Sequence, residues 1–374
     1  MTSLSRLLRL TLVMAALVGV LTASIAIAAP QVAKLVGAHR SDPERLSLDP
    51  LAERSYIFDS QGNLQGTLIN SENENRVKVS IDEVPETVLG AILATEDEAF
   101  YTHNGVNVRS IFRAVDANLE SGTVSQGGST ITQQVVKNSL VGDEQDLSRK
   151  IREAFLAVEL EKQMSKDEIL ERYVNSVYFG GGAYGVQAAS EYYFNKNVAD
   201  LNWAEGALLA ALIRSPAAYD PFKNPELAAE RRDIVFERLL ATDRLTEDEV
   251  ALYAEVPLPT TPNVPLPPND YFVEEVKQQL LDDERFGLGA TPAARNKTVF
   301  EGGIRVFTTF DPVMQFEAIR ARNETLPNNQ GNGTFSVTDP SDGSQTFGTQ
   351  AIVSVEPSTG AVRSMVGGPG FEVY

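Results

Sequence analysis

Three consecutive acidic residues, Glu96, Asp97 and Glu98, stand at the end of an apolar helical pattern. The carboxyl end of a helix dipole is negative, so acidic side chains are disfavoured there. Such a position raises the pKa of a carboxylate toward the range of a useful general base. The cluster is therefore a candidate for proton transfer, although an acidic turn exposed to solvent has the same composition.

A second group of residues follows the glycine pair at 127 and 128. Paired glycines allow the backbone to approach a ligand, and hydroxyl and amide side chains suit sugar or phosphate oxygens. A flexible linker would also be rich in glycine. The polar residues of this group are Ser129, Thr130, Gln133 and Gln134, and Lys137 adds a positive charge.

The third group consists of Arg149, Lys150 and Glu153. On a helix, residues three and four apart share a face, so the three side chains meet. They form either a surface ion pair worth about 0.3–0.5 kcal/mol or a cationic cradle for a diphosphate.

The composition of the chain limits the functions that these three groups of residues can have. The chain has 374 residues and a formal net charge of -19, which argues against a general nucleic-acid binder. It contains no cysteine and only two histidines, so disulfides, thiolate nucleophiles and multi-histidine metal sites are excluded.

The N-terminus predicts export. No charge interrupts the chain from Leu10 to Ala29, about the length a helix needs to cross a bilayer. Arg6 and Arg9 precede this run, which places the start in the cytoplasm and the remainder outside. We predict a cytoplasmic tip and transmembrane anchor over residues 1–35; a cleaved signal peptide ending near Ala28 is the alternative.

The sequence also predicts the strands and helices that position the three groups. Residues 36–80 contain the pattern strand, turn, strand and predict a small β element near the membrane. The pattern is helical from Pro85 to about Leu240, with capping boxes beginning at Ser165 and Asn202, and we predict one domain over residues 81–255.

The C-terminal third predicts a boundary and a second domain. Six prolines fall between Val256 and Pro268, so residues 256–310 are predicted to be a linker. A β-hairpin around Ser358–Gly360 lies in residues 311–374, which we interpret as the truncated start of a further domain.

Taken in order, the motifs closely resemble those of the family 51 glycosyltransferases of class A penicillin-binding proteins, from Ile81 to about Leu240. Asn107 and Val174 are slight departures from the family pattern. The motifs are Ala94–Gly105, Gly128–Gln134, Arg149–Glu153, Lys166–Asn175, Gly182–Gly185 and Leu208–Pro216, followed by Tyr219 and Pro221.

The resemblance implies a mainly α fold: a lysozyme-like helical glycosyltransferase domain with an N-terminal transmembrane helix, a small β element and a partial C-terminal β and linker region. It implies a bacterial cell-wall enzyme that polymerises lipid II into glycan strands, with inversion and release of undecaprenyl diphosphate. The transpeptidase would be the further domain, although its motifs Ser-x-x-Lys and Lys-Thr-Gly occur nowhere in the sequence.

The resemblance also assigns roles. Glu96 would be the general base, and Glu153 would assist at the diphosphate side of the donor. Lys137, Arg149 and Lys150 would hold that diphosphate, and Glu171 and Asn175 would support the cleft. The positioning residues would be Ser129, Thr130, Gln133 and Gln134.

The implied partners are lipid II, the growing glycan chain, the membrane and other cell-wall synthesis proteins, with no nucleic acid. No dedicated metal ligands are visible, so we expect that no cofactor is required, although a divalent cation such as Mg²⁺ or Mn²⁺ could share the charge neutralisation. Residues 108–115 mix apolar and basic side chains and predict either an interfacial segment or an ordinary amphipathic helix.

Two other functions fit parts of the pattern. A muramidase would use a similar pair of carboxylates to deliver water, but would have no use for the cationic group. A non-catalytic scaffold would not need Glu96 and Glu153.

Overall fold

A computed structural model describes residues 46–110, 128–140, 147–265, 270–325 and 334–368. The chain divides into two compact units, Met1–Ser47 and Leu48–Tyr374. The predicted membrane anchor within residues 1–35 lies outside the described residues, as does the part of the predicted interfacial segment beyond residue 110. Within the described ranges, no helix is both long enough and apolar enough to span a bilayer.

The middle of the chain is helical, as the periodicity predicts. One of its helices, α6 (Trp203–Ile213), has all its residues from Ala204 to Leu212 buried. A helix that is apolar on every side must lie inside the protein, and α6 packs against α1 and α7. The helices are α1 (Glu86–Glu96), α2 (Ile131–Leu140), α3 (Leu147–Gln163), α4 (Lys166–Ser176), α5 (Val186–Phe194), α6 (Trp203–Ile213), α7 (Pro225–Ala241) and α8 (Glu247–Ala254).

Helix starts agree with the capping signals in the sequence. Ser165 caps α4 together with Glu168, and Asn202 caps α6 together with Glu205. In each box, the cap side chain accepts a hydrogen bond from the backbone of the third helical residue, and that residue's carboxylate accepts one in return. Both predicted capping boxes are therefore confirmed.

Three short strands lie beside the helices. Strand β3 (Asn75–Arg76) pairs in parallel with β5 (Ala183–Tyr184), which pairs antiparallel with β4 (Tyr178–Gly180). The side chain of Asn175 bonds both the N–H and the carbonyl of Val79. The segment before α1 is thus attached to the end of α4.

The predicted β element near residue 60 is present, but it is one part of a larger unit. Strands β1 (Ser55–Phe58) and β2 (Leu64–Leu68) form the expected antiparallel hairpin. A third strand, β6 (Arg305–Phe307), pairs in parallel with β1.

Helices α9 (Tyr271–Asp282) and α10 (Pro292–Glu301) complete this unit. They enclose a core in which Ile57, Leu68, Val273, Leu280 and Val299 are buried. Burial of such side chains contributes about 1.5–3 kcal/mol each, so the strands and the two helices stabilise one another.

The predicted linker over 256–310 is therefore correct only for its first part. Residues 256–265 have no regular structure, as the prolines predict. Beyond them, Asp270 caps α9 and Thr291 caps α10, with Pro292 in the first turn, where proline is favoured. These local signals produce helices where the proline density suggested an extended chain.

The last described residues contain one helix and two antiparallel strand pairs. Strand β9 (Ile352–Val355) pairs with β10 (Val362–Val366), as predicted for the hairpin around Ser358–Gly360. The other elements are α11 (Pro312–Thr325), β7 (Thr334–Thr338) and β8 (Gln345–Thr349).

Candidate active site

Glu96 is the last residue of α1, and its half-buried carboxylate faces α2. Nε2 of Gln134 donates a hydrogen bond to Oε2 of Glu96 over 2.8 Å. The other end of the same amide, Oε1 of Gln134, accepts a hydrogen bond from the hydroxyl of Tyr173 over 3.2 Å. Helices α1, α2 and α4 are thereby linked by one chain of side chains.

The pKa of Glu96 is raised, chiefly because burial disfavours the charged carboxylate. The hydrogen bond from Gln134 and the nearby charges of Arg231 and Arg214 oppose this effect, whereas Asp97 adds to it. A carboxylate with a raised pKa is better suited to accept a proton near neutral pH than an exposed one.

Asp97, the next residue, has a structural task. Its buried Oδ2 accepts hydrogen bonds from the backbone N–H of Ile131 over 3.0 Å and contacts Nε2 of His103 at 2.8 Å. The N–H of Ile131 is at the start of α2, where backbone donors lack partners within the helix. Asp97 thus fixes the start of the helix that carries Gln134, and the position of α2 relative to Glu96 is closely defined.

The side chains of Thr130 and Gln133 form hydrogen bonds to other groups of the protein. Oε1 of Gln133 accepts from the backbone N–H of Thr130, whose hydroxyl donates to the carbonyl of Gly105 over 2.6 Å. Both side chains are buried. The geometry therefore favours a role in shaping the start of α2 over the predicted contact with substrate.

Glu153 lies on α3, is completely buried, and is held by both predicted cations. Its Oε2 is 2.8 Å from Nζ of Lys150 and its Oε1 is 3.3 Å from Nη1 of Arg149. The predicted shared helical face is therefore present. Because a buried carboxylate needs paired charges, Glu153 also determines where the two cations lie.

Lys150 connects this group to α2. Its ammonium donates to the hydroxyl of Ser129 over 3.3 Å, while nearly half of its side chain remains exposed. Ser129 precedes α2 by two residues, and Gln134 is in the following turn. The candidate base and the ion cluster therefore contact the same short segment, Glu96 at Gln134 and Lys150 at Ser129.

Lys137 lies on a different helix from Arg149 and Lys150. It is exposed in the last turn of α2, about 9 Å along the helix from Ile131. Since residues three apart share a helical face, Lys137 lies on the side of Gln134. Of the cations predicted to hold the diphosphate, Lys150 thus lies near Ser129 and Lys137 toward the end of α2.

Sequence reasoning missed two arginines near Glu96. Arg214 follows α6, and Arg231 lies on α7 with its guanidinium 5.8 Å from the centre of the Tyr219 ring. Within the described part of the chain, the buried Nε of Arg231 has no hydrogen-bond partner. Arg214 and Tyr219 fell inside quoted motifs, but no local signal distinguishes Arg231 from an ordinary helix residue 135 positions after Glu96.

Glu171 and Asn175 behave as supports. Oε2 of Glu171 accepts from the backbone N–H of Ile81, two residues after the segment bonded by Asn175. Their contacts hold the chain that leads into α1. Among the residues that the structure describes, no three acidic or histidine side chains converge as metal ligands.

Comparison with known proteins places this site in a family. Residues 61–240 match the family model described as transglycosylase. This part of the chain belongs to the transglycosylase family, glycosyltransferase family 51, and the resemblance predicted from the motifs is confirmed.

The relatives are penicillin-binding proteins. Penicillin-binding protein 1A of Aquifex aeolicus is 38% identical over 285 residues, which cover 76% of this chain and 37% of that protein. Penicillin-binding protein 1A of Mycobacterium tuberculosis is 38% identical over 325 residues, covering 84% of this chain and 36% of that protein. Penicillin-binding protein 1F of Bacillus subtilis is 45% identical over 181 residues, covering 48% and 25%. The chain thus spans well under half the length of each of these three relatives.

A solved structure is also similar. The crystal structure of penicillin-binding protein 1A from Haemophilus influenzae aligns over 87% of this chain and 49% of that chain. The TM-score is 0.46 and the sequence identity is 18%, too low a similarity to bear on the fold.

Proposed function

We propose that this protein is a peptidoglycan glycosyltransferase that joins lipid II units into glycan strands. The observation that carries the proposal is the placement of two groups along the segment Ser129–Gln134. Glu96, a half-buried carboxylate with a raised pKa, is bonded to Gln134, and Lys150, which together with Arg149 pairs with Glu153, is bonded to Ser129. A base and fixed cations are the two requirements for expelling a diphosphate with a sugar hydroxyl.

In the proposed reaction, the 4-hydroxyl oxygen of the acceptor sugar forms a bond to the anomeric carbon of the donor. The bond from that carbon to the diphosphate oxygen breaks, and the hydroxyl proton passes to Glu96. Attack from the side opposite the leaving group inverts the anomeric configuration. Undecaprenyl diphosphate leaves with its charge stabilised by Lys150, Arg149 and Lys137.

Glu153 acts through the cations in this mechanism. It is fully buried and both of its oxygens face cations, so it holds Arg149 and Lys150 in place at the diphosphate side. The side chain of Ser129 accepts a hydrogen bond from Lys150, and that of Gln134 donates one to Glu96.

The decisive experiment incubates the protein with labelled lipid II and separates the products by length. We expect long glycan strands from the unmodified protein, and none from Glu96→Gln, which keeps the shape of the side chain but removes the base. Glu98→Gln is the matched control, because Glu98 is exposed and two residues away. Unchanged polymerisation by Glu96→Gln would contradict the proposal.

Two parallel assays address other features. Soluble fragments released from finished peptidoglycan, without strand synthesis from lipid II, would instead indicate a muramidase. Polymerisation measured with and without a chelator tests the predicted contribution of Mg²⁺ or Mn²⁺.

The finer structural predictions belong to the same proposal. They are a lysozyme-like main lobe, a single-pass anchor in residues 1–35, an extracytoplasmic catalytic domain and contacts with other cell-wall synthesis proteins. The apolar run after Arg6 and Arg9 supports the anchor. Protease digestion of intact cells and of broken cells tests it, since the proposal requires the domain to be cleaved only from outside the cell membrane.

A further inference from the structure

Tyr173 is a completely buried residue of α4 that no step of the proposed mechanism uses. Its hydroxyl donates to Oε1 of Gln134 over 3.2 Å, and Nε2 of the same amide donates to Glu96 over 2.8 Å. The three side chains come from α4, α2 and α1, so each helix contributes one member of the chain.

An amide side chain can take two orientations that differ by exchange of its oxygen and nitrogen. An ionised carboxylate only accepts hydrogen bonds, so Glu96 requires the NH₂ group of Gln134 to face it. The phenol hydrogen of Tyr173 needs an acceptor because leaving it unpaired in the interior is unfavourable. Only one orientation of the amide satisfies both demands: Oε1 toward Tyr173 and Nε2 toward Glu96.

We propose that Tyr173 is a positioning residue for glycosyl transfer, because its hydroxyl holds the amide of Gln134 in the orientation that donates a hydrogen bond to Glu96. The inference rests on the proposed role of Glu96 as the general base.

The surroundings of Glu96 define what the hydrogen bond does. Arg231 on α7 and Arg214 after α6 favour its charged form, and Asp97 disfavours it. Burial is the largest influence and raises the pKa of Glu96, whereas donation from Gln134 lowers it. The pKa of Tyr173 is raised well above its usual value by burial, so the phenol stays protonated throughout the working pH range and remains a donor.

The substitution Tyr173→Phe removes the hydroxyl and keeps the ring. Without the phenol, the amide is free to turn its oxygen toward Glu96, which favours the protonated carboxylate. A lost hydrogen bond to a charged group corresponds to a shift of about one pH unit. We therefore expect the acid limb of the pH profile of kcat to move to higher pH by about that amount, with the rate recovering at higher pH.

Tyr193→Phe is the matched control. Tyr193 is also a buried tyrosine, and its hydroxyl donates to the carbonyl of Phe179 over 2.8 Å. Its removal costs a comparable internal hydrogen bond but does not touch Gln134 or Glu96. The acid limb of this variant is expected to stay where it is in the unmodified protein.

A second variant removes Gln134, the middle member of the chain of three side chains. Gln134→Met removes the amide with little change in volume and should shift the acid limb in the same direction. Adding Tyr173→Phe to it should produce no additional shift, since the phenol then has no amide to hold. A Gln134→Met variant with an unshifted limb overturns the inference whether or not Tyr173→Phe folds.

Failure of the proposed function and failure of the role of Tyr173 give different experimental results. Absence of polymerisation by the unmodified protein refutes the proposed function, and with it the inference. Normal polymerisation with an unshifted limb in Tyr173→Phe, or independent and additive shifts in the double variant, refutes the role of Tyr173 alone.

Discussion

Glu96 and Glu153 are both acidic residues near cations, yet their environments assign them different tasks. Glu153 is fully buried and each of its oxygens faces a positively charged group. Glu96 is half-buried, its direct partner is the neutral amide of Gln134, and burial raises its pKa. The environment of Glu96 suits the acceptance of a proton and that of Glu153 suits the placement of two cations, so the two residues have separate roles in the proposed reaction.

Lys150→Ala should slow polymerisation strongly. Lys150 is half exposed and touches both Glu153 and Ser129, so it is the cation best placed to meet a diphosphate. Loss of one fixed charge at a developing anion lowers kcat by roughly 100-fold or more. Lys162→Ala on the same helix is the control, because Lys162 is exposed and pairs only with Glu159 among the described residues. Equal rates for the two variants, measured with labelled lipid II, would exclude a special role for Lys150.

Glu96→Gln should stabilise the fold while abolishing activity. Because the pKa of Glu96 is raised in the folded protein, the folded state binds a proton more readily than the unfolded state. The contribution of this residue to stability is complete below the unfolded pKa and is lost as pH rises through the folded pKa. Replacement by a neutral amide removes that loss, and a gain near 1 kcal/mol corresponds to about 2–4 °C in Tm for a domain of this size.

Thermal unfolding at two pH values checks the sign. The Tm difference between Glu96→Gln and the unmodified protein should be larger at pH 7.5 than at pH 5. A difference that is larger at the lower pH would mean that the carboxylate is stabilised, not destabilised, by its surroundings.

At the scale of elements, α2 is the part of the site on which the other parts depend. Its start is held by Asp97, and its side chains reach Glu96 through Gln134. The residue just before it, Thr130, bonds the carbonyl of Gly105, which in turn lies against α3. A substitution of Gly105 should therefore lower both the stability of the fold and the activity.

Gly105→Ala is expected to be strongly destabilising. Gly105 has a φ of +84°, and a methyl group added there would lie 2.6 Å from the backbone nitrogen of Val158. Gly62→Ala separates the two causes, since Gly62 has a φ of +89° but nothing within 4 Å of an added methyl. The backbone conformation alone should cost about 1–2 kcal/mol in both variants.

The contact with α3 should add at least ~1 kcal/mol for Gly105→Ala, because a packed backbone cannot move aside cheaply. Chemical denaturation of both variants measures the difference. Similar losses would show that the close approach at Gly105 is relieved by a small shift of α3.

The elements that the sequence predicted well are those with local signals. The capping boxes at Ser165 and Asn202 satisfy backbone groups of their own helices, so four residues suffice to recognise them. The hairpin β1–β2 is likewise defined by its own turn. By contrast, Arg231 near Glu96 and β6 beside β1 depend on contacts between distant parts of the chain, which periodicity cannot reveal.

The predicted roles of single residues divide in the same way. Arg149, Lys150 and Glu153 meet because helical spacing requires it. Thr130 and Gln133 have the composition of ligand-binding residues, but their burial against the start of α2 follows only from the fold. The roles of all these residues in catalysis stay predictions until the variants are measured.

At the scale of the whole molecule, the predicted domain boundary at residue 81 cuts through contacts. Arg54 is buried, donates to Asn75 over 2.7 Å and forms an ion pair with Glu191 of α5 at 2.5 Å. Asn75 and Arg76 of β3 pair with Ala183 and Tyr184 of β5, across the predicted boundary. Residues before the predicted glycosyltransferase domain are thus bonded into it.

A fragment of residues 81–255 should consequently be less stable than one of residues 46–310. The shorter fragment leaves the partly buried Glu191 without Arg54, and the longer one keeps the sheet β2–β1–β6 and its core. We expect Tm to be lower by roughly 5 °C or more in the shorter fragment. Circular dichroism melts of both fragments test this, and equal values would show that the predicted boundary is a true domain edge.

The pairing of Phe58 with Phe307 sets an order of events for a newly made chain. At about 5–20 residues per second, ribosomal synthesis needs roughly 12–50 s to pass from one strand to the other. During that interval one edge of β1 has no neighbour, while helices with contacts closer in sequence have time to assemble. The N-terminal sheet would then be completed late, after helices whose contacts are closer in sequence.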